Sequence, residues 1–222
     1  MDLIEAFKTV GFTKQETEIY LTLSEHGELS GYEAAKLSGI SRSNAYATLS
    51  SLVDKGGAFT VEGQPKKYVA TPKEELLLNA KRWFNKVINF IDKKVVYSPQ
   101  KNEPYVTITR QEHIINKIQN MLLLTTQHLY FSADISIINL FLDTLKEIAN
   151  HKKVVILCDE KITIPNIISY KTKTISSLKL IVDTNAVITG TLEQCLYSKS
   201  LTLVQLIREA LMNEIKLIQY ER

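Results

Sequence analysis

The sequence predicts an α/β protein of two domains bridged by one long helix. Three observations carry this. Its 222 residues exceed one minimal domain and suit two. Residues 1–72 read as short helices followed by a β-hairpin, and residues 98–222 alternate apolar runs with amphipathic segments. Apolar residues make up 45% and charged residues 23% of the chain, ordinary for a globular protein with a sizeable core. The expected domains are 1–72, 73–97 and 98–222.

The first domain is punctuated by caps. Thr13 precedes an apolar-periodic stretch and has Glu16 three residues on, the capping-box spacing. Ile19, Tyr20 and Leu23 give that helix its inner face, and Gly27 ends it. Ser30 starts a short helix with Ala34, Ala35 and Leu37 inward, closed by Gly39. Ser41 starts a third, with Ala45, Leu49, Leu52 and Val53 at helical spacing, stopped by Gly56-Gly57. The run AFTVEGQPKKYVATP then reads as strand, Gly-Gln-Pro turn and strand. Three helices and a hairpin in that order predict a winged helix-turn-helix.

Residues from about 72 to 95 form one helical pattern. Leu77, Ala80, Phe84, Val87 and Ile91 recur at alternating steps of three and four, an a/d-like seam that predicts self-association. Leu76, Trp83, Ile88 and Phe90 widen the apolar surface. Ser98-Pro99 and its polar neighbours read as a linker.

In the last domain YVTIT, LYFSA, KKVVILCD, LKLIVD and AVITGT read as buried strands. Residues 111–124, 135–149 and 201–213 read as the intervening helices. Alternation of this kind predicts a largely parallel sheet.

The net charge is only +3, a weak pointer to an anionic partner. Its distribution says more. From Lys36 to Lys73 the basic residues Lys36, Arg42, Lys55, Lys66, Lys67 and Lys73 stand against only Asp54 and Glu62, while the stretch before it is acidic. With Ala45, Leu49 and Leu52 inward, a step of about 100° per residue turns Ser43, Ala47 and Ser50 outward, with Asn44 beside them. Such short side chains let a helix backbone approach base edges in the major groove, and Asn can bond adenine twice. Ser41 and Arg42 stand at the helix start, and Tyr46 packs at the rim with its hydroxyl free for a phosphate. Gln64, Lys66 and Lys67 on the wing suit phosphates. The predicted partner is double-stranded DNA, bound as a homodimer.

These same residues carry a family resemblance. GFTKQETEIYLTL, SGYEAAKLSGISRSNAYATLSSLVDKGG and GQPKKYVATP resemble the TrmB-like transcriptional regulators, named for archaeal sugar-responsive repressors. The chain matches that pattern at Gly11, Glu18, Tyr20, Gly39, Ser41, Arg42, Tyr46, Leu49, Leu52, Lys55, Gly56, Pro65, Lys67 and Tyr68. It departs at Gly57, where the family carries an aliphatic residue, which predicts a looser start to the wing. The resemblance covers about a third of the chain. It implies a homodimer held partly by the helix after the wing.

It also implies that the C-terminal domain is similar to one half of a phospholipase D fold. Active members use His-x-Lys-x-x-x-x-Asp followed by Gly-Ser or Gly-Thr. Aligned on Asp183, this chain has Ser176 for the His and Leu178 for the Lys; only the Asp and Gly190-Thr191 remain. Without an imidazole nucleophile and a phosphate-binding ammonium that chemistry cannot run, and Asp183 reads as a turn former before Thr184-Asn185. His26, His113, His128 and His151 fit no metal or catalytic spacing, and no phosphate-binding glycine loop occurs. Cys158 and Cys195 match no metal pattern and read as buried small hydrophobes. The chain is therefore expected to be no enzyme, to need no cofactor, and, lacking a signal-like start or a long apolar run, to be cytoplasmic without a membrane partner.

The resemblance suggests a sugar or other small-molecule metabolite as effector, although about 120 C-terminal residues are fewer than sugar-binding members have. Ser132, Asp134, Asp159 and Glu160, at strand C-terminal ends, are the candidate effector residues. Two other readings stay open: a winged protein-interaction module such as a transcription accessory factor, and a phosphodiesterase-type enzyme using His113, His128 or His151.

Overall fold

A computed structural model describes residues 2–98, 105–173 and 175–220. The chain divides into two compact units, Met1–Tyr97 and Ser98–Arg222. Pro99 of the expected linker lies outside the described residues.

The first unit opens with a helix that the periodicity did not announce, α1 (Leu3–Thr9), begun by an Asp2–Glu5 capping box. It precedes α2 (Lys14–His26), where Thr13 and Glu16 form the expected box and Gly27 is the C-cap. A two-residue strand, β1 (Leu29–Ser30), follows. Ser30 and Glu33 box the start of α3 (Gly31–Ser38), which ends on a left-handed Gly39. Leu37 is half-exposed here rather than inward, because the inner face of so short a helix is filled by Ala34 and Ala35.

Next come α4 (Arg42–Asp54), β2 (Ala58–Val61) and β3 (Lys67–Ala70). The strands form a three-stranded antiparallel sheet in the order β1-β3-β2. Ile19, Leu23, Ala34, Ala45, Leu49 and Leu52 make a dry core beneath them. The wing does not start loosely at Gly57. A Cβ there would stand 2.5 Å from Leu52 and 2.7 Å from Phe12. Those neighbours fill the place of the aliphatic side chain, and Gly57 bonds Leu52 and Thr71 through its backbone. Helix α5 (Lys73–Lys94) completes the unit.

The second unit is a seven-stranded sheet between two helical layers. Its elements are β4 (Val106–Thr109), α6 (Gln111–Leu123), β5 (His128–Ser132), α7 (Ile135–Asn139), α8 (Leu142–Ala149), β6 (Lys153–Cys158), β7 (Ile167–Lys171), β8 (Leu178–Val182), β9 (Ala186–Gly190), β10 (Gln194–Ser198) and α9 (Leu201–Tyr220). Strand order is β4-β10-β9-β8-β5-β6-β7. Alternation sorts the side chains. Leu129, Phe131, Val154, Ile156, Leu178 and Leu180 face α6 and α8. Tyr130, Val155, Leu157, Ile181 and Val187 face α9.

The α/β class and the presence of parallel strands hold, but the expectation of a largely parallel sheet is corrected. Only β5-β6-β7 are parallel, two pairings of six. The reason is connection length: three residues join β8 to β9 and another three join β9 to β10, and links so short permit only antiparallel neighbours. The two strands that pattern reading missed, β7 and β10, are short and partly polar. The helix expected over 135–149 is broken between α7 and α8, where Phe141 turns inward against Phe131 at 6.0 Å. Helix α9 runs seven residues past its expected end.

Candidate nucleic-acid interface

Helix α4 is bound to its unit on one side only. Ala45, Thr48, Leu49 and Leu52 are buried, while Ser43, Asn44, Tyr46, Ala47 and Ser50 are exposed. Ser41 sits at the N-cap without spending its hydroxyl on a cap bond. Among the described residues Ser43, Asn44 and Ser50 make no side-chain hydrogen bond with the protein, so their polar atoms are available to a ligand. Ser51, one residue on, does the opposite: its hydroxyl donates to Glu16 at 2.6 Å.

That carboxylate anchors the helix from behind. Glu16 is 2% exposed and accepts from the backbone of Thr13, from Ser51 and from the Lys55 ammonium at 2.8 Å. Burial alone would raise its pKa. The bonds from Lys55, Ser51 and Thr13 outweigh that and hold it below its usual value. Lys55 also donates to the Gly11 carbonyl at 2.8 Å. So α2, the α1–α2 turn and the C-terminal end of α4 are tied at one point.

Two residues that the sequence reading passed over shape the start of the interface. The Arg42 guanidinium stacks 4.2 Å from the centre of the Tyr32 ring, which orients it at the head of α4. Tyr46 lies across Gly31, where a Cβ would stand 2.4 Å from its ring. The signal for both was the Gly-Tyr pair directly after the Ser30 cap. On the wing Gln64 and Lys66 are exposed, with the Lys66 ammonium 5.7 Å from the Tyr68 ring. Lys67 is less free, since it pairs with Glu28 at 3.1 Å.

Along α5, Leu77 and Ile91 are exposed, and Ala80, Phe84 and Val87 are partly buried. Leu76 is the buried residue of this helix.

In the second unit, Ser132, Asp134, Asp159 and Glu160 do gather at the C-terminal ends of β5 and β6. Ser132 is only 1% exposed, and its hydroxyl has no hydrogen-bond partner in the protein. Asp159 accepts from the Ile135 backbone at 2.8 Å; Asp134 and Glu160 are exposed. At the other end of the sheet Asp183 occupies the β8–β9 turn with φ of 50°. Its carboxylate accepts from the backbone N–H groups of Thr126, Gln127 and His128 at 2.7–3.0 Å and from the Thr126 hydroxyl. Burial pushes its pKa up, but these bonds prevail and hold it at about 2. Leu178 is part of the core and Ser176 is exposed. Cys195 is buried, which raises its thiol to about 11, and burial raises Cys158 as well. Among the described residues no cluster of three or more His, Cys, Asp or Glu could hold a metal ion, and no helix is long and apolar enough to cross a membrane.

Comparison with known proteins bears on the first unit. Residues 7–74 match the family described as sugar-specific transcriptional regulator TrmB. The chain is 31% identical over 126 residues to the uncharacterized protein YrhO of Bacillus subtilis, covering 55% of this chain and 46% of that one. It is 27% identical over 139 residues to the HTH-type sugar sensing transcriptional regulator TrmBL1 of Pyrococcus furiosus, covering 57% and 41%. The chain thus spans under half the length of these relatives. The solved structure of TrmBL2, described as an archaeal chromatin protein, aligns over 94% of both chains with a TM-score of 0.43 and 18% identity. From Phe7 to Glu74, the first unit of this protein is a TrmB-like winged helix-turn-helix domain.

Proposed function

We propose that the protein is a sequence-specific DNA-binding regulator of transcription that acts as a homodimer. The observation that carries this is the outer face of α4. Ser43, Asn44, Ala47 and Ser50 are short, exposed and unspent, and stand between an oriented Arg42 and the basic wing. A helix presenting such a face can approach base edges closely, while Gln64, Lys66 and Lys67 meet phosphates. The TrmB match and the regulator named among the relatives support the same reading.

The C-terminal unit has a non-catalytic role in this reading: dimerisation, or sensing of a small metabolite such as a sugar. Asp134 and Glu160 are its accessible acceptors. Asp159 already accepts from the Ile135 backbone, and Ser132 is buried with its hydroxyl unpartnered. A core leucine at 178 and exposed Ser176 favour this over phosphodiester chemistry.

The test is selection of bound sequences from a random DNA pool at near-physiological salt. An enriched inverted repeat is expected. Asn44→Ala should then cost on the order of 1–3 kcal/mol and relax the preference at one base position. Binding without enrichment, or specificity untouched by Asn44→Ala, would overturn the assignment of α4 as the reading helix.

A further inference from the structure

The end of α4, the α1–α2 turn and the first half of α5 enclose a groove of about 400 Å³ within the winged unit. That size falls within the ~300–1,000 Å³ of small-molecule sites. Its walls are apolar: Val10 and Phe12 from the turn, and Leu76, Ala80 and Trp83 from α5. Phe12 and Leu76 are sealed, whereas Trp83 is 53% exposed and stands edge-on to Phe84 at 5.1 Å. A half-exposed indole beside sealed apolar neighbours leaves apolar surface for a ligand to cover.

The polar edge of the groove selects the ligand's charge. Asp54 and Lys55 both line it, but their atoms are differently committed. The Lys55 ammonium already pairs with the buried Glu16 and donates to the Gly11 carbonyl, each at 2.8 Å. The exposed Asp54 carboxylate has no hydrogen bond or ion pair among the described residues. Arg82 is turned to Asn79 instead. Asp54 is also the last residue of α4, whose last turn carries no basic residue. The helix dipole places negative partial charge at that end, which disfavours a carboxylate there. Glu16 and Asp54 against Lys55 leave one negative charge over.

We propose that this groove binds a small organic cation with an apolar body. Its ammonium pairs with Asp54, and its apolar part lies against Trp83 and the aliphatic wall. A cation beside an indole gains further from the negative face of the ring. An anionic ligand meets repulsion from Asp54 and a Lys55 already spent. Because Lys55 ties the end of α4 to α2 and the α1–α2 turn, a ligand spanning Asp54 and Trp83 braces α4 against α5. Resting on the DNA-binding reading above, this bracing makes the cation an effector: it and the operator change each other's affinity by one shared factor.

Trp83 is the single tryptophan of the chain, so its emission reports on the groove directly. Three probes of similar size, titrated into the full chain, separate the outcomes: phenethylamine as cation, phenethyl alcohol as its neutral match and phenylpropionate as anion. A saturable change in emission is expected with phenethylamine, at a midpoint about fivefold lower than with the alcohol, as befits a partly exposed ion pair. Asp54→Asn should abolish that preference and leave the response to the alcohol unchanged. The substitution removes no contact of the fold and relieves the helix end, so the thermal midpoint should equal or exceed that of the wild type. Equal midpoints for all three probes in the wild type, or a lower one for phenylpropionate, would overturn the proposal. So would the absence of a saturable change with phenethylamine. Trp83→Leu, followed through the probe's own nuclear magnetic resonance signals, should weaken amine and alcohol alike; unchanged binding would place the site elsewhere. With the selected operator present, the phenethylamine midpoint should shift by about fivefold or more. An unmoved midpoint would overturn the effector role. A protein that binds phenethylamine but no DNA would keep the site and remove the DNA-binding reading.

Discussion

Polar side chains in the two units are put to different use. On α4, Ser43, Asn44 and Ser50 are left unspent, while the structural work behind them falls to Glu16, Ser51 and Lys55. At the sheet ends of the second unit the conspicuous carboxylates are already engaged: Asp159 holds the start of α7, and Asp183 gathers three backbone N–H groups. A polar residue in an eye-catching position is a candidate for binding only if the fold has not already claimed its atoms. By that measure the first unit offers Ser43, Asn44 and Ser50, and the second offers the exposed Asp134 and Glu160 and the buried, unpartnered hydroxyl of Ser132.

The sharpest way to break this comparison is to remove the support and leave the face intact. Glu16→Ala strands the Thr13 N–H, the Ser51 hydroxyl and a partly exposed Lys55. It should cost on the order of 3 kcal/mol of stability, read as a fall in the denaturation midpoint of the winged unit. Loss of DNA binding should track unfolding and not appear in the folded fraction. A stability change near zero would mean that the network does not hold α4.

Asp183 gives the corresponding test in the second unit. Asp183→Ala removes four bonds and should cost about 2 kcal/mol. The pH dependence has a definite sign. A carboxylate held at about 2 in the folded protein titrates near 3.9 when unfolded. Its contribution is therefore complete above about pH 5 and lost as the pH falls toward 2. The wild-type protein should lose stability over that window more steeply than Asp183→Asn, measured by urea midpoints at successive pH values. Parallel curves would show that Asp183 is not the group responsible.

How much of this was legible depended on the range of the interactions. The caps at Thr13 and Ser30 act within four residues: the Thr13–Glu16 box formed as its spacing implied, and Ser30 took the cap position expected of it. The inner and outer faces of α4 followed from period alone. Strand β1, by contrast, is two residues long and exists only because Leu29 and Ser30 pair with Tyr68 and Lys67. The antiparallel bias of the large sheet came from the three-residue links on either side of β9, and from β10, a strand whose QCLYS has no clean alternation. Gly57 misled for a similar reason: the space its side chain would need is filled by Phe12, forty-five residues earlier in the chain. Arg42 was recognisable from its place at the head of a helix, but the Tyr32 ring that orients it was not, because it comes from a different helix.

The smallest expected effect separates two adjacent lysines that the sequence treats alike. Lys66 is exposed, whereas Lys67 shares its charge with Glu28 at 3.1 Å. A phosphate contact by Lys66 releases a counterion that the free protein leaves intact on the DNA. One by Lys67 must first displace an existing partner. Lys66→Ala should therefore lower the slope of log K against log salt by about one, equally for all DNA sequences. Lys67→Ala should change it by less, and Glu28→Ala should strengthen binding to every sequence by freeing Lys67. Equal slope changes for the two lysines would mean that the Glu28 pair opens at no cost on binding DNA, as exposed ion pairs worth well under 1 kcal/mol can. The wing would then act as a single basic patch, with no distinction between its two ammonium groups.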